Sequence, residues 1–149
     1  MKKILALATF ATVGALAPWA SATAAEYEVQ MLNKGSDGTM WEFSPAFLKI
    51  QPGDSVTFVP ADKDHNSETT QDLVPEGAEP WRGKLNEAVT VTYETEGVYA
   101  YKCLPHAGLG MVGVIQVGDG TDNLDAVMDA KVPGKGKTRL ADLVAQVGS

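Results

Sequence analysis

The chain has one cysteine, Cys103, and two histidines, His65 and His106, in 149 residues. A single thiol cannot close an internal disulfide, so stability must come from burial, hydrogen bonding and a metal if one is bound. The haem-attachment pattern C-x-x-C-H is absent, and a structural zinc site ordinarily asks for more cysteines or histidines than these. Basic residues are also scarce, 12 against 19 acidic, for a formal charge of −7. That balance argues against nucleic acid as a partner. The acidic residues are scattered, with neither an EF-hand loop nor a paired catalytic arrangement, and read as a solvated surface. Internal repeats are lacking.

Long apolar runs are lacking as well, except at the start. Lys2 and Lys3, the apolar stretch Ile4 to Ala17 and the small-residue site Ala22-Thr23-Ala24 read as a secretory signal over residues 1–24. That stretch is too short to span a bilayer comfortably. The expectation is an exported, soluble protein with no membrane attachment. Losing the leader removes two of the 12 basic residues and none of the 19 acidic ones, so the charge becomes −9. About 125 residues remain, enough for one core. A lone thiol in an oxidising compartment requires an explanation.

From Tyr27 to Val117 the pattern is of six or seven short strands broken by turn residues, at the spacing of a β-sandwich. Tyr27, Val29 and Met31 alternate with polar neighbours. Trp41 to Ile50 reads as a strand interrupted at Ser44-Pro45, Ser55 to Val59 as another, and Val89 to Tyr93, Val98 to Cys103 and Gly113 to Val117 complete the set. Residues 60–88 show no clean period, and an irregular connection of that length is often functional. It carries His65. After Gly120 the period becomes helical: Asp122 can cap a helix over 123–131, and Leu140, Leu143, Val144 and Val147 mark a second over 138–147. Residues 25–120 are therefore read as the sandwich, and 121–149 as a helical extension packed on the same domain.

The chemistry concentrates in KCLPHAGLGM, residues 102–111. A thiolate, two imidazoles and a thioether form the donor set that suits copper in a trigonal electron-transfer site with a long axial bond. Cys103 ends a strand, and Pro105, Gly108 and Gly110 let the following loop curl so that Cys103, His106 and Met111 aim at one point; His65 would join from the distant loop. Each residue alone has an ordinary reading: Cys103 as a small buried hydrophobe, Met111 as core filler, His65 and His106 as polar loop residues. Chance poorly explains their coincidence in a chain with so few of them. Cys103 with His106 makes a poor nucleophilic dyad, because Pro105 intervenes, and no oxyanion site is evident for Cys103 with either histidine.

Cys103-x-x-His106-x-x-x-x-Met111 with His65-Asn66 upstream resembles the cupredoxins, the small blue copper proteins. MLNKG (31–35), PGD (52–54), DKDHN (62–66), PEGAE (75–79), KLNE (84–87), VGD (117–119) and NLD (123–125) narrow the resemblance to the pseudoazurin branch. It implies an all-β fold, an eight-stranded Greek-key sandwich with two short C-terminal α-helices. It also implies one type 1 copper on His65, Cys103, His106 and Met111, and no catalytic residue. The implied role is a periplasmic electron shuttle, fed by a c-type cytochrome or similar donor and emptied by copper nitrite reductase or another terminal reductase. A monomer is expected.

Docking is expected at an apolar patch of Met40, Pro105, His106, Ala107 and Leu109, ringed by Lys34, Lys63, Arg82, Lys84 and Lys102. Two departures stand out. Gln71 and Pro80 replace lysines common in relatives, thinning the ring. Leu104 stands where relatives commonly carry a hydroxyl residue that meets the asparagine beside the first histidine, so Asn66 needs another partner while its backbone amide remains near the thiolate. The alternative function is copper delivery or storage, which favours more open coordination than this closed set.

Overall fold

The computed structural model describes residues 23–149, so nearly all of the leader expected at 1–24 lies outside the described residues. Seven strands form two sheets. β1 (Glu26–Lys34), β2 (Met40–Ser44), β4 (Ser55–Pro60) and β5 (Val89–Thr92) assemble in the order β2-β1-β4-β5, while β3 (Phe47–Ile50), β6 (Gly97–Lys102) and β7 (Val112–Val117) assemble as β3-β7-β6. β1 runs parallel to β4 and β3 parallel to β7; the other pairs are antiparallel. The segment read as one interrupted strand over 41–50 is thus two strands in different sheets, the chain crossing between them at Ser44-Pro45.

The alternation read from the sequence places Val29, Met31, Phe43, Val56 and Phe58 inward against Ile50, Tyr99, Tyr101, Ile115 and Val117 of the other sheet. Tyr101 packs edge-on against Phe43 and Phe58, with ring centroids 4.7 and 4.8 Å away, contacts each contributing roughly 0.5–1.5 kcal/mol beyond area burial. Gly113 opposite is obligatory: a Cβ there would collide with the Tyr101 ring. The second sheet is covered on its outer side too. Val98, Ala100, Val112 and Val114 meet Val127, Leu140, Leu143 and Val144 of α1 (Leu124–Asp129) and α2 (Lys135–Val144). Strands buried on both faces read as continuous apolar text rather than alternation.

The sandwich with two C-terminal helices is as expected, with local differences. The resemblance implies eight strands; among the described residues seven form, and within 60–88 Glu68 instead makes isolated bridges to Arg82 and Lys102. α1 starts one residue later than expected, so its N-cap position is Asn123 rather than Asp122, and Asn123 makes no side-chain cap because its carboxamide accepts from Val98 N at 2.9 Å and donates to Val98 O at 2.7 Å. α2 spans 135–144, not 138–147. Its first turn is polar apart from Gly136, so the hydropathy pattern missed it.

Candidate metal centre

Cys103 lies one residue beyond β6, and its position is set from two sides. Its amide donates to Met111 O at 3.0 Å, while His106 N donates to Cys103 O at 3.1 Å and Met111 N to His106 O at 3.1 Å. A 3-10 turn over Ala107–Leu109 closes the loop, ending at Gly110 with φ of 110°, a conformation glycine adopts without a Cβ penalty. The loop is thereby folded back on itself, which brings Cys103, His106 and Met111 to its two ends and its apex.

His65 arrives from the other side on a strap anchored by main-chain bonds. Glu68 N donates to Lys102 O at 3.0 Å and Lys102 N returns to Glu68 O at 2.9 Å, directly beside Cys103; Thr69 N donates to Trp81 O and Asn86 N to His65 O. The irregular stretch is thus pinned to the end of β6. His65, Cys103 and Met111 are fully buried, and His106 is partly exposed.

Three donor atoms converge: Cys103 Sγ lies 3.7 Å from His65 Nδ1 and 3.5 Å from His106 Nδ1. All three lie within 4.8 Å of one another. Bonds of about 2.0–2.1 Å to nitrogen and about 2.3 Å to sulfur, meeting at roughly 110–120°, place nitrogen and sulfur roughly 3.5–3.8 Å apart. The observed separations therefore suit a common first-row metal ion, and one thiolate with two imidazoles favours copper or zinc over calcium or magnesium.

Protonation is consistent with this use. Burial lowers the affinity of His65 for a proton, with His106 adding to the effect against Asp62 and Asp64; burial also lowers that of His106. Both imidazoles are therefore neutral near pH 7 and offer a lone pair. Burial pushes the Cys103 thiol up, opposed by the amides of Asn66 and His106, while the Glu68 charge pushes it further up. A bound cation is what would favour the thiolate in this apolar place.

The surroundings answer the question raised by Leu104. The Asn66 carboxamide accepts from Leu104 N at 2.8 Å and donates to Glu68 Oε2 at 3.1 Å and Gly83 O at 3.2 Å. The strap and the ligand loop are thus stitched by a main-chain amide rather than a side-chain hydroxyl. Glu68, buried, also meets Arg82 Nε at 3.4 Å.

Three neighbours were not anticipated as site residues. Asn33 Oδ1 lies 2.9 Å from His65 Nε2, Trp41 stacks on His106, and Glu68 holds Asn66. Asn33 and Trp41 lie far from the ligands in sequence and belong to an edge-strand pair, and no spacing rule points at them.

Among the patch residues, Met40 and Leu109 are half exposed and Pro105 is exposed, but Ala107, on the inner side of the loop, is buried and drops out. Leu104, next to Pro105 in the chain, is 52% exposed. Of the basic ring, Arg82 is paired with Glu68 and Lys84 with Glu87. Lys34, Lys63 and Lys102 make no ion pair among the described residues.

A family model of copper binding proteins, the plastocyanin/azurin family, matches residues 29–118. A pseudoazurin of Paracoccus pantotrophus is 48% identical over 96% of this chain and 96% of its own length. Among solved structures, a pseudoazurin from Sinorhizobium superposes with a TM-score of 0.80 at 50% identity, covering 84% of this chain and 98% of that one. A pseudoazurin from Hyphomicrobium denitrificans gives 0.78 at 42% identity, covering 83% and 99%.

Proposed function

The chain belongs to the plastocyanin/azurin family of copper-binding proteins and, within it, to the pseudoazurins, blue copper electron-transfer proteins, and on that premise we propose how its own residues do the work. His65, Cys103 and His106 would hold the copper through two imidazoles and a thiolate, and the buried thioether of Met111 would be the fourth donor. The observation that carries this is the pair of sulfur-to-nitrogen separations, 3.7 and 3.5 Å, around one buried thiol.

Copper supplies a one-electron couple between Cu(I) and Cu(II). The protein's part is rigidity and access. Cys103, His106 and Met111 are locked by their own loop's amides, and His65 by the strap, so the donor atoms are placed before the metal arrives. A centre that keeps its geometry in both oxidation states needs little reorganisation to pass an electron. Burial of His65, Cys103 and Met111 keeps water and small molecules from their donor atoms, which favours a carrier over an enzyme. His106, partly exposed between Met40, Pro105 and Leu109, is the route to a partner.

The finer reading is a monomeric periplasmic shuttle, exported by the leader at 1–24, whose donor is a c-type cytochrome or similar protein and whose acceptor is copper nitrite reductase or another terminal reductase of denitrification. No helix among the described residues is long and apolar enough to cross a membrane, in keeping with it. Absorption spectroscopy of the copper-loaded protein tests the centre: an intense blue band, lost in Cys103→Ser, supports it. Colourless, readily chelated Cu(I) favours delivery or storage. Periplasmic fractionation and turnover with nitrite reductase test place and partner.

A further inference from the structure

Trp41 is the outstanding residue near the centre with no role so far. Its indole lies over the His106 imidazole with ring centroids 4.1 Å apart and planes 17° apart, and its edge faces His65 at 6.1 Å and 65°. The backbone there is unusual. Trp41 has φ of 59°, the left-handed region that bulky L-residues rarely adopt and that persists only when the surroundings impose it. The ladder pairs Leu32 with Glu42 and Lys34 with Met40 on either side. Trp41 therefore sits opposite Asn33, and this one rung of the edge pair touches both imidazoles, Asn33 through His65 Nε2 and Trp41 through the face of His106. Next to it, Glu42 is tied to Arg139 of α2 at 3.3 Å, which fixes the strand where the turn occurs.

We propose that Trp41 is a positioning residue of the metal centre: its stacked indole holds the His106 imidazole with Nδ1 turned toward Cys103 Sγ and favours the oxidised state of the couple. The proposal deepens the electron-transfer reading and rests on it. Without Trp41 one face of His106, the only partly exposed imidazole of the pair, would lie open to solvent and the ring could tilt. The redox bias follows from electrostatics. An aromatic face is electron-rich and stabilises positive charge above it. The imidazole is more electron-poor while it serves a doubly charged ion than a singly charged one, so the stack stabilises the oxidised form more. One electron enters or leaves the metal; no bond or proton changes at Trp41.

Leu is the informative replacement, because it keeps the site apolar while removing the π face, and Phe should restore the effect. In the metal-free protein, NMR of the His106 ring protons reads the stack directly: Trp41→Leu should move them downfield as the indole ring current is lost, and Trp41→Phe should leave them closer to the native positions. In the copper-loaded protein, a redox titration should give a more positive potential for Trp41→Leu and a near-native one for Trp41→Phe. Unmoved ring protons would overturn the positioning role, and an unchanged or more negative potential in Trp41→Leu would overturn the redox bias. If the native protein loads copper without turning blue, the electron-transfer reading fails instead, while the NMR comparison still decides whether Trp41 orders His106.

Discussion

His65 Nε2 and Asn33 Oδ1 are 2.9 Å apart, and this contact decides which nitrogen of His65 is free. With Nε2–H donating to the carbonyl oxygen of Asn33, the lone pair sits on Nδ1, the nitrogen that faces Cys103 Sγ. Partners of this kind fix the tautomer and ring plane of a metal-binding histidine, and their loss typically costs about 10–100-fold in metal affinity. Asn33 is exposed, so water can replace part of the bond. Asn33→Ala should therefore weaken copper binding by about tenfold in a chelator competition, with global stability nearly unchanged.

The protonation states set a pH dependence of metal uptake. The Cys103 thiol, pushed up by burial, keeps its proton at neutral pH, whereas the two imidazoles have already lost theirs. Binding must then expel one proton, and affinity should rise about tenfold per pH unit between pH 7 and 8. Copper competition across that range, or proton release followed with an indicator dye, measures it.

Without metal the same shifts bracket stability. His65 and His106 hold their protons less tightly when folded than at their ordinary value of 6.5, so their contribution is present above that pH and lost as pH falls through the lower folded values. Cys103 holds its proton more tightly when folded than at its ordinary value of 9.0, so its contribution is present below that pH and lost as pH rises toward the higher folded value. Denaturant midpoints of the metal-free protein should therefore be highest between about pH 7 and 9 and fall on both sides.

How much of this was legible in the chain depends on the range over which each residue acts. Cys103 and His106 could be read because a short loop with Pro105, Gly108 and Gly110 brings them together whatever the rest of the fold does. His65 could be read only as the remaining imidazole, since the bond network that carries it there runs through Glu68, Lys102 and Asn86, none of which signals pairing in sequence. Asn33 and Trp41 were illegible: one acts through the register between β1 and the edge strand β2, and the other through a backbone φ that its residue type disfavours. Hydropathy likewise could not see the first turn of α2, whose contact with the ligand loop is made by a glycine.

That glycine carries a prediction. A Cβ on Gly136 would collide with Ala107 O and come within 2.8 Å of Val132 Cγ1. Ala107 follows His106 directly, so the helix is pressed against the main chain of the ligand loop. Gly136→Ala must push α2 outward or the loop inward. We expect a loss of about 1–3 kcal/mol in denaturant unfolding together with a shifted blue band. A stability loss with an unmoved spectrum would mean that the helix alone gives way.

The last prediction concerns charge at the surface. The chain is acidic overall, yet Lys34, Lys63 and Lys102 stand without ion-pair partners among the described residues, whereas Arg82 and Lys84 are partly neutralised by Glu68 and Glu87. Encounter with an acidic partner is governed by the local field within about 10 Å at moderate salt, not by the net charge. Replacing the three lysines by glutamine should slow electron transfer to an acidic acceptor by about tenfold at low salt, and the difference should shrink as salt screens it. The blue spectrum should not move, because none of the three is a proposed ligand. Stopped-flow kinetics at several ionic strengths make the measurement, and equal rates at low salt would place docking on another face. Arg82→Gln is the informative contrast: it strips Glu68 of its counter-ion beside Asn66, and so should disturb the centre as well as the approach.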